Sequence, residues 1–161
     1  MKRVAIIGSF QQSRNYTLVQ EIITLFLEKG LDVVSPAGTL VVDKRDGFVV
    51  FETDDNTLSN EKIQYETLEK IFTANAVYIV NVDGYVGRTT CYEIGRILER
   101  KIPLYFMSFP LDLPICITEE FVVEPTAFVD LIYSAEEKTL SLECSCCSKL
   151  HLCLGGTDAK A

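Results

Sequence analysis

The stretch from 76 to 100, AVYIVNVDGYVGRTTCYEIGRILER, constrains the fold more than any other part of the sequence. It opens with an apolar run of β-branched and aromatic residues, which predicts a strand buried on both faces of a parallel sheet. An Asp-Gly dipeptide then predicts a turn, and Thr89 or Thr90 is suited to cap the helix that follows. Glu93 lies in the first turns of that helix. We therefore expect it just beyond the carboxyl end of a strand, the edge at which open α/β sheets bind ligands.

Strand and helix patterns alternate along much of the remaining chain. Apolar runs at 4–7 and 103–107 and the short segment 32–34 predict further strands, and helical periodicity before Gly30 and after Asn60 predicts two more helices. Strands that alternate with helices at this spacing indicate a parallel, doubly wound sheet with right-handed crossovers. We therefore expect an α/β fold, flavodoxin-like or Rossmann-like, with about five strands.

Several segments allow more than one prediction. The apolar runs at 40–42 and 48–51 flank Asp46-Gly47, a pattern that fits either a hairpin or one long ligand-covering loop. Further along the chain, residues 121–123 are a candidate strand, residues 126–133 a candidate short helix and residues 139–142 a candidate edge strand.

Composition limits the class of protein. A chain of 161 residues with 48% hydrophobic content predicts one well-buried domain, residues 1–142, followed by a cysteine-rich tail, residues 143–161. The net charge of -8 argues against a nucleic-acid polymer as partner, because backbone phosphates bind basic surfaces. No apolar run reaches the roughly 18 residues of a membrane-spanning helix, so no membrane partner is expected. Without a recognisable secretory signal, a cytoplasmic location with reduced cysteines and no disulfide is expected.

The tail holds a compact group of potential metal ligands. Its members are Cys144, Cys146, Cys147, His151 and Cys153. Cysteine and histidine are the usual ligands of zinc, but this spacing lacks paired C-x2-C knuckles and would give poor tetrahedral geometry. The interpretation we favour is a set of semi-buried packing residues rather than a metal site.

Four segments, in order along the chain, resemble one enzyme family. They are Gly8-Ser9-Phe10, Ser35-Pro36, Thr53-Asp54-Asp55 and NVDGYVGRTTCYEIG at 81–95. Together they resemble the nucleoside 2-deoxyribosyltransferases and their relatives, the 2-deoxynucleoside 5-monophosphate N-glycosidases, over roughly residues 3–107. The resemblance implies a transferase or hydrolase of nucleotide metabolism that acts on the N-glycosidic bond of a deoxynucleoside or its monophosphate. It also implies a homodimer or larger homo-oligomer, and no metal or organic cofactor.

The resemblance implies a role for each candidate residue. Glu93 would be the nucleophile at the anomeric carbon, as in a retaining glycosidase, with water as acceptor giving hydrolysis and a second base giving transfer. Tyr16 would hold Glu93 in place through its hydroxyl, and Asp54 or Asp83 would bind the base or protonate it as it leaves. Ser9 would contact the sugar or a 5-phosphate. The implied substrate-binding positions are Gly8, Ser9, Phe10, Asp54, Asn81, Gly84, Tyr85, Gly87, Arg88 and Thr90.

One position departs from the family pattern. Relatives commonly place a glycine-threonine or glycine-x-glycine step before the glutamate helix, whereas Gly87 here precedes Arg88. Arg88 fits either recognition of a phosphate, which would favour a nucleotide over a nucleoside, or a position in solvent. The alternative function is a nucleotide-binding or sensing module of the same fold that keeps the pocket without turnover.

Overall fold

The computed structural model describes residues 1–8, 13–38, 40–45 and 48–134. In chain order the elements are β1 (Arg3–Gly8), α1 (Ser13–Glu28), β2 (Asp32–Ser35), β3 (Val41–Arg45), β4 (Phe48–Phe51), α2 (Asn60–Ile71), β5 (Ala76–Val80), α3 (Arg88–Glu99), β6 (Leu104–Phe106) and α4 (Pro125–Ser134). Short 3-10 helices occupy Val82–Gly84 and Glu119–Phe121.

In the described part of the chain, the main sheet has four parallel strands in the order β2-β1-β5-β6. Its register aligns Gly8 with Val80 and Ile79 with Phe106, so β1, β5 and β6 end at the same edge. This arrangement confirms the predicted α/β fold with a parallel sheet flanked by helices. Open parallel sheets bind ligands at the carboxyl ends of their strands, so a site is expected at this edge.

The central strands β1 and β5 are covered on both faces, which explains their continuous apolar sequences. Successive side chains of a strand point to opposite faces, so each strand contributes to two cores. One core lies under α1 and α4 and includes Val4, Ile6, Ala76, Tyr78, Phe26 and Phe128. The other lies under α2 and α3 and includes Ala5, Ile7, Val77, Ile79, Ile71 and Ile97.

The strand predicted at 121–123 is reduced to a single parallel bridge between Phe106 and Val122. The preceding 3-10 helix extends to Phe121, and α4 begins at Pro125. Too few residues remain between these helices for a strand, although the Val123 amide still donates to the Phe106 carbonyl at 2.9 Å. Among the residues that the structure describes, the main sheet therefore has four strands. The helix predicted at 126–133 is confirmed by α4.

The segment before α2 is a hairpin, one of the two arrangements that its sequence allowed. β3 pairs with β4 in antiparallel fashion, with Val41 opposite Phe51. The turn at 46–47 lies outside the described residues, as do the candidate strand at 139–142 and the whole cysteine-rich tail. Among the helices that the structure describes, none is both long enough and apolar enough to cross a membrane.

The predicted threonine cap of α3 is wrong. Gly87 occupies the N-cap position and gives the helix no side-chain hydrogen bond, and α3 begins at Arg88. Thr89 and Thr90 therefore already lie inside the first turn, where a side chain no longer caps the free amide groups. Thr90 instead points into the protein and is 3% exposed.

Candidate active site at the carboxyl edge of the sheet

Glu93 lies on the buried face of α3. The helix runs away from the carboxyl edge of the sheet, so its first turns stay beside that edge. Thr90, Glu93, Ile94 and Ile97 recur at helical spacing and are all buried. Glu93 itself is 7% exposed, whereas Tyr92 before it is exposed and Ile94 after it is buried. A carboxylate in this position is not a solvated surface group.

Gln64 of α2 holds one oxygen of this carboxylate. Its Nε2 donates to Glu93 Oε1 at 2.8 Å, which links α2 to α3. Among the described residues, no buried side-chain oxygen lacks a hydrogen-bond partner. Because Gln64 engages Oε1, we infer that the small accessible part of Glu93 includes Oε2. One oxygen is thus fixed by the protein, and the other can meet a ligand.

Burial raises the pKa of Glu93 from 4.5 to about 7, and the hydrogen bond from Gln64 opposes that rise. Desolvation disfavours the charged carboxylate, whereas an N–H donor favours it. Within the described part of the chain, no charged side chain contributes to this shift. The carboxyl group therefore changes protonation state close to neutral pH, which is typical of catalytic carboxylates.

The Asn81 side chain connects the end of β5 to the segment after β6 through two hydrogen bonds. It is 1% exposed. Its Nδ2 donates to the Ser108 carbonyl at 2.7 Å, and its Oδ1 accepts from the Ser108 amide at 3.0 Å. Both polar atoms of the side chain are therefore engaged by the backbone. A substrate contact through Asn81 would have to replace or share these bonds.

The turn between β5 and α3 is held in place by the segment that follows β6. Gly84 has φ +78° and a Cβ there would overlap with the Phe109 carbonyl, so only glycine fits. Its carbonyl accepts from the Leu111 amide at 3.1 Å. Asp83, at φ 53°, and Tyr85 are both exposed beside it. These two side chains therefore remain available to a ligand at this edge.

Tyr16 contacts the hairpin. Its hydroxyl accepts from Gln20 Nε2 at 2.7 Å and from the Val41 amide at 3.2 Å. Among the described residues it is Gln64, rather than Tyr16, that donates to Glu93. In this structure Tyr16 thus joins α1 to β3.

Asp54 connects the end of the hairpin to α2 through a hydrogen bond and an ion pair. Its Oδ2 accepts from the Phe51 amide at 2.9 Å. Its Oδ1 lies 3.6 Å from Lys70 Nζ, and the Asp54 side chain is only 11% exposed. These contacts give Asp54 a structural role that its sequence position alone did not indicate.

Three other predicted positions lie at the same edge. Gly8 ends β1 beside Val80, Gly87 precedes α3, and Arg88 is exposed at the first position of that helix. Ser9 and Phe10 lie outside the described residues. The structure therefore gathers part of the predicted set around the first turns of α3.

Gln64 was not among the residues singled out from the sequence. A signal for it does exist, because Gln64 precedes the buried Leu68 and Ile71 by four and seven residues, which places it beside the apolar face of α2. A polar side chain there needs a partner. The sequence does not show that the partner is Glu93.

Comparison with protein-family models, with curated proteins and with solved structures gives no match for this chain. The resemblance to nucleoside 2-deoxyribosyltransferases therefore rests on the four short segments that begin at Gly8, Ser35, Thr53 and Asn81. The environment of Glu93 is an independent observation, because its burial and hydrogen bonding do not depend on any relative.

Proposed function

We propose that this protein is an enzyme that cleaves or transfers at the N-glycosidic bond of a deoxynucleoside or deoxynucleoside monophosphate, with Glu93 as nucleophile. The observation that carries the proposal is the buried Glu93 carboxylate, which Gln64 holds through one oxygen beside the carboxyl edge of the sheet. A homo-oligomeric assembly belongs to the same proposal, because the family resemblance implies it. A flavodoxin-like, doubly wound architecture and a cytoplasmic location are proposed with it, on the alternation of strands and helices and on the lack of a recognisable secretory signal.

The reaction follows the retaining-glycosidase scheme. Oε2 of ionised Glu93 attacks the anomeric carbon, and the electron pair of the breaking C–N bond leaves with the base. The products of this step are a glycosyl ester on Glu93 and a base that takes up a proton. Water then attacks the anomeric carbon and releases the carboxylate, or a second base does so in a transfer.

Burial of Glu93 supports its role as the nucleophile. The low-polarity environment that raises its pKa to about 7 leaves the ionised carboxylate poorly solvated, so formation of a neutral ester relieves that cost. A substantial ionised fraction nevertheless remains near neutral pH. Activity that depends on ionised Glu93 should therefore rise as the pH increases through about 7.

The leaving base needs a proton donor or a hydrogen-bonding partner. Of the two acids that the sequence offered, Asp54 already binds the Phe51 amide and Lys70. Asp83 is exposed on the turn that leads into α3. We therefore assign contact with the base to Asp83. A monophosphate would be the preferred substrate if Arg88, at the first position of α3, binds the phosphate.

Base release is the direct test. The purified protein is incubated separately with each of the common deoxynucleosides and their 5-monophosphates, and free base is measured by chromatography. We expect release from at least one substrate, and a loss of roughly a thousandfold or more in Glu93→Gln. Glu69→Gln, which changes an exposed glutamate of α2, is the matched control and should retain activity.

The alternative, a nucleotide-binding or sensing module, predicts a different result. It predicts saturable binding of a deoxynucleoside or its monophosphate with no release of base. It also predicts that Glu93→Ala binds the ligand as well as the wild type does. That combination of results would refute the enzymatic proposal.

A further inference from the structure

We propose that Gln64 is a positioning residue that holds Oε1 of Glu93 and thereby selects Oε2 as the attacking atom. The observation is the 2.8 Å hydrogen bond from Gln64 Nε2 to Glu93 Oε1, made between two different helices. The catalytic meaning of this contact rests on the proposed function. The contact itself does not, so the two can be tested separately.

The geometry explains why a single donor is sufficient. The two oxygens of a carboxylate are chemically equivalent until one of them is bound, and rotation about the last side-chain bond exchanges them. A donor fixed on the neighbouring helix removes this equivalence. Oε1 becomes the anchored oxygen, and Oε2 retains its lone pairs for a bond to carbon.

Both helices pack against the core through buried apolar side chains. Ile63, Leu68 and Ile71 of α2 are buried, as are Ile94 and Ile97 of α3. A reactive group held between packed elements keeps its orientation better than one on a loop. The hydrogen bond therefore connects two surfaces that the core already holds in place.

The choice of side chain has an electrostatic consequence. An amide N–H donates more strongly to a carboxylate than to a carboxylic acid, and the neutral amide does so without a charge of its own. Gln64 thus moderates the pKa that burial alone would give Glu93, in the direction that keeps the ionised form accessible. The same hydrogen bond therefore both holds Oε1 of Glu93 in place and favours the ionised form of its carboxyl group.

Two substitutions with opposite expected effects test this role. Gln64→Leu removes the donor at similar volume, and Gln64→Lys replaces it with a charged donor. The matched control is Glu66→Leu, at an exposed position of the same helix. The Glu93 carboxyl group is titrated by 13C NMR on protein labelled in its glutamate side chains, with Glu93→Gln identifying the signal.

The titration midpoint of Glu93 should rise by about one pH unit in Gln64→Leu, because the ionised form loses a charge-assisted hydrogen bond. It should fall in Gln64→Lys and stay unchanged in Glu66→Leu. General disturbance of the helix would not move the midpoint in opposite directions. An unchanged midpoint in both Gln64 variants would overturn the inference.

Kinetics separate this inference from the proposed function. If the wild type releases base, Gln64→Leu should lower kcat more than it raises KM. The acidic limb of its pH–rate profile should also move to higher pH, together with the titration midpoint of Glu93. Midpoints that move as described in a protein that releases no base support the contact and refute the enzymatic proposal alone. If base release depends on Glu93 but Gln64→Leu has the same kcat, KM and pH profile as the wild type, the positioning role alone is refuted.

Discussion

Replacement of Glu93 by glutamine should stabilise the protein at alkaline pH and leave it nearly unchanged at acidic pH. Glutamine has the same shape as a protonated glutamic acid, and its carbonyl can accept the hydrogen bond from Gln64 that Oε1 accepts now. The variant therefore removes the ionisation of this buried group with little other change. Any pH-dependent difference between wild type and variant reports on Glu93.

The magnitude follows from the difference between the folded and unfolded pKa values. Burial raises the pKa of Glu93 from 4.5 to about 7. The folded state thus holds the proton more tightly than the unfolded state. Ionisation of Glu93 consequently reduces the stability of the protein as the pH rises from the pKa of the unfolded state. The loss is complete once the pH is above the pKa of the folded state. At about 1.4 kcal/mol for a pKa difference of one, the total is about 3 kcal/mol.

The measurement is the free energy of unfolding by urea, between pH 4.5 and pH 8, for wild type and Glu93→Gln. The two should have similar stability at the acidic limit, and the variant should be about 3 kcal/mol more stable at pH 8. For a domain of this size the corresponding difference in Tm is about 6 to 12 °C. Glu69→Gln, at an exposed position, should differ from the wild type by no more than about 0.5 kcal/mol throughout.

A constant difference between wild type and Glu93→Gln across this pH range would refute the reasoning. It would mean that Glu93 has the same pKa in the folded and unfolded states, which is incompatible with a desolvated carboxyl group. A variant that loses stability as the pH rises, relative to the wild type, would contradict the sign. Either result would remove the electrostatic argument for a catalytic carboxylate.

Two further predictions concern the frame around the site, and denaturant unfolding checks both. Asn81→Leu should lower the free energy of unfolding by about 2 to 4 kcal/mol, because it leaves the amide and carbonyl of Ser108 without their partner; a loss below about 0.5 kcal/mol would contradict it. Gly84→Ala should destabilise by about 1 to 3 kcal/mol, because φ is +78° and a Cβ meets the Phe109 carbonyl. The matched control Gly95→Ala, in α3 with no atom near the added Cβ, should instead stabilise by about 0.5 to 1 kcal/mol. Equal effects of the two alanines would refute this explanation.

The parts of the fold that could be predicted are those in which one chemical signal dominates. Residues 4–7 and 77–80 form uninterrupted apolar runs, and such runs have few alternatives to a strand covered on both faces. The stop of α1 before Gly30 was equally clear, since glycine takes φ +80° there at little cost. Local chemistry was sufficient in each case.

The failures arose where the outcome depends on competing neighbours. Thr89 and Thr90 are good capping residues, but the chain enters the helix one residue after Gly87 and leaves them inside the first turn. The apolar run at 121–123 suits a strand, but the helices on either side leave too little backbone to pair. Neither competition is visible in a short window of sequence.

The candidate site was only partly predictable for the same reason. Glu93 is identified by its place after a strand and a glycine turn together with the family resemblance of the segment around it, and both are read from a short stretch of sequence. The role of Gln64 depends on the packing of α2 beside α3, and 29 residues separate it from Glu93. Asn81 was expected to bind substrate, yet its partner is the backbone of Ser108, which only the sheet brings close.

The central claim is that Glu93 forms a covalent bond to the sugar, and capture of that bond tests it most directly. The wild type is mixed with a substrate from which it releases base, quenched rapidly in acid during turnover, digested with trypsin and analysed by mass spectrometry. We predict a deoxyribosyl adduct on the peptide 89–96, located at Glu93 and missing from Glu93→Gln. An adduct on another residue, or base release that continues undiminished in Glu93→Gln, would contradict the account.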